Sequence, residues 1–249
     1  MEILGLTNLR PLLFWLAMPL ALPQGLHLRR TALRLPAASG ERCGVVGSGV
    51  SRRLLAIGDS IVAGVGIETM QDAMPAQYAR ALADSFACRV HWHAVDLNGA
   101  DCGQLIAKAL PLLPDEPFDH VFISVGVNDV TRLTSTRSWA RNLRTLLEHL
   151  REHSPDASIV LAGVPPMRRF PALSGLLRQL FGQRAERLDA IAAALAASLP
   201  GVWHFPTPVP DDPAAFAEDG FHPCALACEV WARGLVEALR ETDKRSKQL

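Results

Sequence analysis

Five short apolar runs without proline recur along the chain, at residues 54–57, 90–95, 120–125, 159–162 and 202–205. Each has the length and character of a buried strand. Between and after them lie stretches of helical character, at residues 75–86, 101–110, 139–153, 184–198 and 225–241. Strands alternating with helices predict a parallel sheet covered on both faces. Right-handed crossovers then leave a three-layer α/β/α domain with a flavodoxin-like, doubly wound sheet of five strands. This reading assigns residues 52–249 to the α/β domain. Residues 1–51 become a hydrophobic arm followed by a connector, since residues 36–51 are rich in Gly, Ala and Ser.

The arm has its own pattern. Residues 11–28 carry no Asp, Glu, Lys or Arg, and residues 12–22 are strongly apolar. A membrane span needs about 20 apolar residues, and this stretch is interrupted by Pro19, Pro23 and the Gln24-Gly25 pair. A cleaved signal wants a small-x-small site, which Ala17-Met18-Pro19 and Ala21-Leu22-Pro23 supply poorly. The expectation is an uncleaved segment in peripheral contact with a membrane surface; an exported chain and a buried helix are the alternatives. Arg29, Arg30 and Arg34 beyond the segment, against Arg10 before it, favour a cytoplasmic body held at the inner face.

Composition narrows the function classes. The 249 residues carry 25 basic and 25 acidic side chains and no net charge, which excludes a broad basic face for nucleic acid. Five scattered cysteines do not make a disulfide framework. No internal repeat is visible.

Four short motifs fall on one edge of the predicted sheet. Gly58-Asp59-Ser60 follows the first strand, Asn98-Gly99-Ala100 the second and Gly126-Val127-Asn128-Asp129 the third; Asp219-Gly220-Phe221-His222 opens the last helix. Open α/β sheets place ligands at that carboxyl edge. Acyl transfer needs a nucleophile, a base, a carboxylate to orient the base, and donors for an oxyanion. Ser60, His222 and Asp219 can supply the first three. The N–H groups of Ser60 and Gly99, with the Asn128 amide, can supply the donors. Asp59 and Asp129 fit better as braces for their own loops.

With these blocks in order, the sequence resembles the SGNH subgroup of the GDSL esterase/lipase family over residues 52–240; Ile61 stands where many members have Leu. The resemblance implies a hydrolase for small-molecule or lipid esters or thioesters that works through an acyl-serine without metal or other cofactor. An acyltransferase would use the same intermediate, and a catalytically silent lipid-surface binder would keep only the fold.

Other chemistry-bearing residues read as structural. His149 and His153 match a zinc-protease spacing, but on an Arg-rich amphipathic helix remote from the loop edge. His91 and His93 share a strand face, and Cys224 and Cys228 lie one helical turn apart. The stretch from Pro165 to Gly182 follows the fourth strand and so overhangs Ser60. Its Leu173, Leu176, Leu177, Leu180 and Phe181 share one helical face. Phe170, Leu173, Leu177 and Leu180 are therefore expected to form a lid or acyl-chain wall, with a core-packing helix as the alternative.

Overall fold

Strand β2 (Ser51–Gly58) needs a helical layer on each side, because Leu54, Leu55, Ala56 and Ile57 are all fully buried. Successive strand side chains point to opposite faces. Leu55 and Ile57 accordingly join one core, and Leu54 and Ala56 the other. In the computed structural model, which describes residues 9–246, this strand lies inside a six-stranded sheet.

The other strands are β1 (Cys43–Gly47), β3 (Arg89–Asp96), β4 (His120–Ser124), β5 (Ser158–Ala162) and β6 (Val202–Phe205). Their spatial order is β1-β3-β2-β4-β5-β6. The five from β2 to β6 are parallel and have the flavodoxin-like arrangement expected of the five apolar runs. Order reverses beside β2, so the crevice at the carboxyl ends of β2, β3 and β4 is the natural ligand position.

Seven α-helices complete the described chain: α1 (Leu9–Thr31), α2 (Met74–Phe86), α3 (Cys102–Gln104), α4 (Val127–Thr131), α5 (Thr136–His153), α6 (Gly175–Ala197) and α7 (Ala225–Ser246). Helices α5 and α6 bury Trp139, Leu146 and Leu188 against one sheet face. Helices α2 and α7 bury Tyr78, Leu82 and Trp231 against the other. The indole N–H of Trp139 donates to the Leu188 carbonyl at 2.9 Å, tying α5 to α6 in the dry core.

Three expectations are corrected. Residues 36–51 are not a plain connector, because β1 adds an antiparallel strand to the free edge of β3. Gly44 makes that possible: a Cβ there would meet the Trp92 indole at 2.8 Å. The helix expected at residues 101–110 starts as α3 but widens to a π-turn (Leu105–Ala109) and tightens to a 3-10 turn (Leu110–Leu112). Pro111 has no N–H with which to continue an α-ladder.

The third correction concerns the lid. No separate helix overhangs Ser60, because α6 runs unbroken from Gly175. Leu173, Leu177 and Leu180 are at most 4% exposed and pack in the core beneath the sheet. Gly182, in the helix's first half, lets the 3-10 turn Met167–Arg169 press close: a Cβ would overlap the Arg168 side chain. Leu180→Ala is therefore expected to lower unfolding free energy by about 2–5 kcal/mol through lost contacts and a cavity. Urea denaturation checks the loss.

Candidate active site

The loop that carries Ser60 begins where β2 and β4 come too close for any side chain between them. A Cβ on Gly58 would sit 2.3 Å from the Ser124 carbonyl oxygen, so only glycine fits. The Asp59 N–H then donates to that same oxygen at 3.1 Å. The chain turns at once, with Ala63 N–H on Asp59 O at 3.0 Å and Val65 N–H on Ser60 O at 3.0 Å. Ser60 is thereby left at the edge of the sheet, facing the crevice.

The opposite wall is a loop closed on itself ahead of α7. The Ala217 N–H donates to His222 O at 2.8 Å, and Gly220 N–H to Ala217 O at 2.9 Å. Asp219 Oδ1 accepts the N–H groups of Phe221 and His222 at 2.9 and 3.0 Å. Its Oδ2 lies 2.6 Å from His222 Nδ1, and His222 Nε2 lies 2.9 Å from Ser60 Oγ. A carboxylate only accepts, so Nδ1 carries the hydrogen and leaves the Nε2 lone pair to the serine hydroxyl. Burial pushes the Asp219 carboxyl up, but its bonds from the His222 ring and two backbone N–H groups outweigh this and hold it below the ordinary value.

The remaining motifs converge on the same crevice. Gly126 adopts φ 125° where a Cβ would strike Val164 at 2.6 Å, and it launches α4 with Asn128 in the first turn. Asn128 Nδ2 donates to Asp59 Oδ2 at 3.4 Å. Asp59 Oδ1 accepts from Ile61 N–H at 3.2 Å and Ser124 Oγ at 3.4 Å. Asp129 Oδ2 accepts from Cys102 N–H at 2.9 Å, which links α4 to the start of α3. Both aspartates thus brace loops, as the sequence suggested. Burial raises the carboxyl of each to about 6.

Gly99 holds the third position of a turn from Leu97 to Ala100 with φ 74°, where glycine is the favoured residue. Its carbonyl accepts from Arg132 Nη2 at 2.9 Å, and Arg132 Nη1 reaches Asp101 Oδ2 at 3.4 Å. Asp101 and Gln104 form a reciprocal capping box. Nothing local in the sequence marks Arg132, whereas the Asp-x-x-Gln capping pattern is legible there.

Ser60 and His222 open onto a cleft of about 340 Å³ with mostly apolar walls. Phe170 lines it, as expected, and stacks edge-on against Phe221 at 4.9 Å between ring centres. The other walls come from Pro208, Val209, Phe216, Leu226 and Val230, none of which the sequence reading selected. Leu226 and Val230, four apart on α7 and well exposed, left a helical-spacing signal; Pro208-Val209 left none. The zinc-like pair does not assemble. His153 donates from Nε2 to Pro114 O at 2.8 Å and takes the Ser154 hydroxyl at Nδ1 at 2.9 Å, so both nitrogens are occupied.

The model of the GDSL-like lipase/acylhydrolase family matches residues 56–227, which spans all four motifs. The chain belongs to that family. It is a hydrolase of esters. Solved structures agree at the level of the fold. An extracellular lipase from Streptomyces rimosus matches with TM-score 0.52 and 20% identity, over 75% of this chain and 99% of that one. The structure described as TesA matches with TM-score 0.58 and 23% identity, over 75% and 97%. A family two carbohydrate esterase from Clostridium thermocellum matches with TM-score 0.57 and 18% identity, over 77% and 64%. No curated protein matches the chain.

The brace at Asp59 carries a pH signature. Its folded pKa of about 6 lies above the unfolded value near ~3.9. The folded state therefore holds this proton more tightly, and the stabilisation, present below the unfolded value, is lost as pH rises through about 6. Asp59→Asn should remove that component. Urea unfolding at pH 4.5 and 6.5 should show the wild type losing stability across the interval by roughly 1.5–2 kcal/mol more than the variant does.

Proposed function

We propose that this family member cleaves carboxylic esters, or thioesters, of apolar acyl chains through an acyl-serine formed on Ser60. The observation that carries the reading is the unbroken hydrogen-bonded line from Asp219 through His222 to Ser60 Oγ, ending at the mouth of an apolar cleft. Ser60 Oγ attacks the acyl carbonyl carbon while His222 Nε2 takes its proton. The Asp219 carboxylate stabilises the imidazolium so formed and keeps its orientation. The carbonyl oxygen becomes an oxyanion, held by the N–H groups of Ser60 and Gly99 and by Asn128 Nδ2. The amide nitrogen of Asn128 has two hydrogens, so one can stay toward Asp59 while the other meets the oxyanion. His222 then returns the proton to the departing alcohol or thiol. Water adds to the acyl-serine with His222 as base, and the acid leaves.

The acyl chain is assigned to the walls formed by Phe170, Val209, Phe216, Leu226 and Val230. Each methylene they cover contributes up to ~0.8 kcal/mol of binding. A second partner is inferred from α1, whose outward leucines are exposed: the protein contacts a membrane peripherally through residues 11–28, from the cytoplasmic side. Among the described residues no helix is long and apolar enough to cross a membrane.

The nucleophile is tested with an organophosphonate probe, which should label wild type on Ser60 and leave Ser60→Ala unlabelled; label on another serine would move the chemistry elsewhere. Asn128→Ala should lower kcat by about 10²–10³-fold with KM little changed, because the oxyanion exists only near the transition state. A pure KM effect would reduce Asn128 to a ground-state contact. In a chain-length series, Leu226→Ser with Val230→Ser should flatten the preference for longer acyl groups while acetyl-ester turnover persists. An unaltered profile would place the acyl chain outside the cleft.

A further inference from the structure

Helix α1 is apolar on two opposite faces, and among the described residues only one of them has a partner. The inner face presents Phe14, Ala17, Met18, Ala21 and Leu28 to the core beside α6, with Ala21 fully buried. Gln24 secures the contact, since its Oε1 accepts the Leu177 N–H at 3.0 Å. That N–H belongs to the first turn of α6, where a helix has no acceptor of its own, and Ser174 gives no side-chain cap there. The outer face carries Leu16, Leu20, Leu22 and Leu26, which are 63%, 72%, 58% and 52% exposed. A helix apolar all round requires apolar surroundings on both sides.

Charge identifies what can provide them. Between residues 3 and 40 the chain has four arginines and no Asp or Glu. Arg29 and Arg30 occupy the last turn of α1 and, with Leu26 and Arg34, line a hollow directly beyond the exposed leucines. Leucines followed by a cluster of guanidinium groups complement acyl tails beneath phosphate headgroups.

The helix is also fastened to the catalytic loop. Beyond Thr31 the chain reaches a strap at residues 35–39, which runs beside the residues that follow Ser60. Gly66 N–H donates to Pro36 O, Ala38 N–H to Ala63 O and Ser39 N–H to Glu68 O, each at 3.0 Å. Met70 N–H closes the pairing on Ser39 O at 2.8 Å.

We propose that the outer face of α1 and the Arg29, Arg30 and Arg34 hollow seat the protein on an anionic phospholipid surface, with the strap holding the ester cleft in fixed relation to it. This rests on the reading of α1 as a peripheral membrane contact and adds the lipid charge and the link to the site. The test is co-sedimentation of the full chain with vesicles of phosphatidylcholine alone or with a third of phosphatidylglycerol. Binding should be stronger on the anionic vesicles. Arg29→Ala, Arg30→Ala and Arg34→Ala together should cost on the order of a hundred-fold there, at about five-fold per arginine, and remove the preference. Leu16→Ser, Leu20→Ser, Leu22→Ser and Leu26→Ser together should abolish binding to both, with an unchanged thermal midpoint as the control for folding. Ser60→Ala should bind as wild type does, which separates docking from hydrolysis. In wild type, an ester embedded in anionic vesicles should turn over faster than in neutral ones, and the arginine variant should lose that excess.

Equal binding to the two vesicles, or an arginine variant that binds like wild type, overturns the anionic seat while leaving a membrane contact. Absence of binding to either vesicle overturns both. A dimer in sedimentation equilibrium that the leucine variant dissolves, without vesicle binding, gives the face to a second copy of the chain.

Discussion

The site depends on a carboxylate that is expensive to bury. Asp59 is 2% exposed, and its oxygens reach Ile61 in the Ser60 loop, Ser124 at the end of β4 and Asn128 in α4. An unpaired buried carboxylate would be strongly disfavoured, so each of these bonds offsets part of its desolvation. The result is that the loop carrying Ser60 and the helix carrying Asn128 share one anchor. His222 adds a nearby ring that favours the ionised form. Gly58 belongs to the same constraint, since only the missing side chain lets β2 approach Ser124 closely enough for the anchor to form.

Asp129 repeats the device one loop further on. Its carboxylate reaches the Cys102 N–H and so ties α4 to the turn that carries Gly99. Arg132 completes that turn from the solvent side by holding the Gly99 carbonyl. The three loops that meet at the crevice are thus joined by charged groups as well as by packing. The relay of Asp219, His222 and Ser60 needs no such anchor on its acid side, because Asp219 and His222 are only three residues apart and fix one another locally.

That locality explains what was legible in the sequence. The parallel strands, the four motifs and the partners Ser60, His222 and Asp219 each announce themselves within a few residues, and geometry only had to bring them together. Strand β1 did not, because Cys-Gly-Val-Val-Gly is a strand only when Trp92 lies opposite Gly44. The lid reading failed for a related reason. The spacing of Leu173, Leu177 and Leu180 states that one face is apolar, and it is equally true of a helix facing a cleft and of one facing a core. What decides between them is the unbroken run of α6 and its docking on α1, both set by distant contacts. The cleft walls at Pro208 and Val209 carry no periodic signal at all and acquire their role only from the loop's position.

Helix α1 shows how one segment can satisfy two readings that looked exclusive. Pro19 and Pro23 interrupt the apolar run as sequence, yet the helix continues through both, and both lie on its exposed side. Proline removes a backbone donor, which matters least where α6 is not the neighbour. The buried-helix alternative is thus correct for Ala21 and Gln24, and the peripheral one fits Leu16, Leu20, Leu22 and Leu26. Removing the segment would uncover the core around Leu177 and leave the first turn of α6 without the Gln24 acceptor. The outward leucines add nothing to that packing. Their exposure next to an arginine cluster is a cost within the isolated molecule, and it becomes favourable only when another surface covers them.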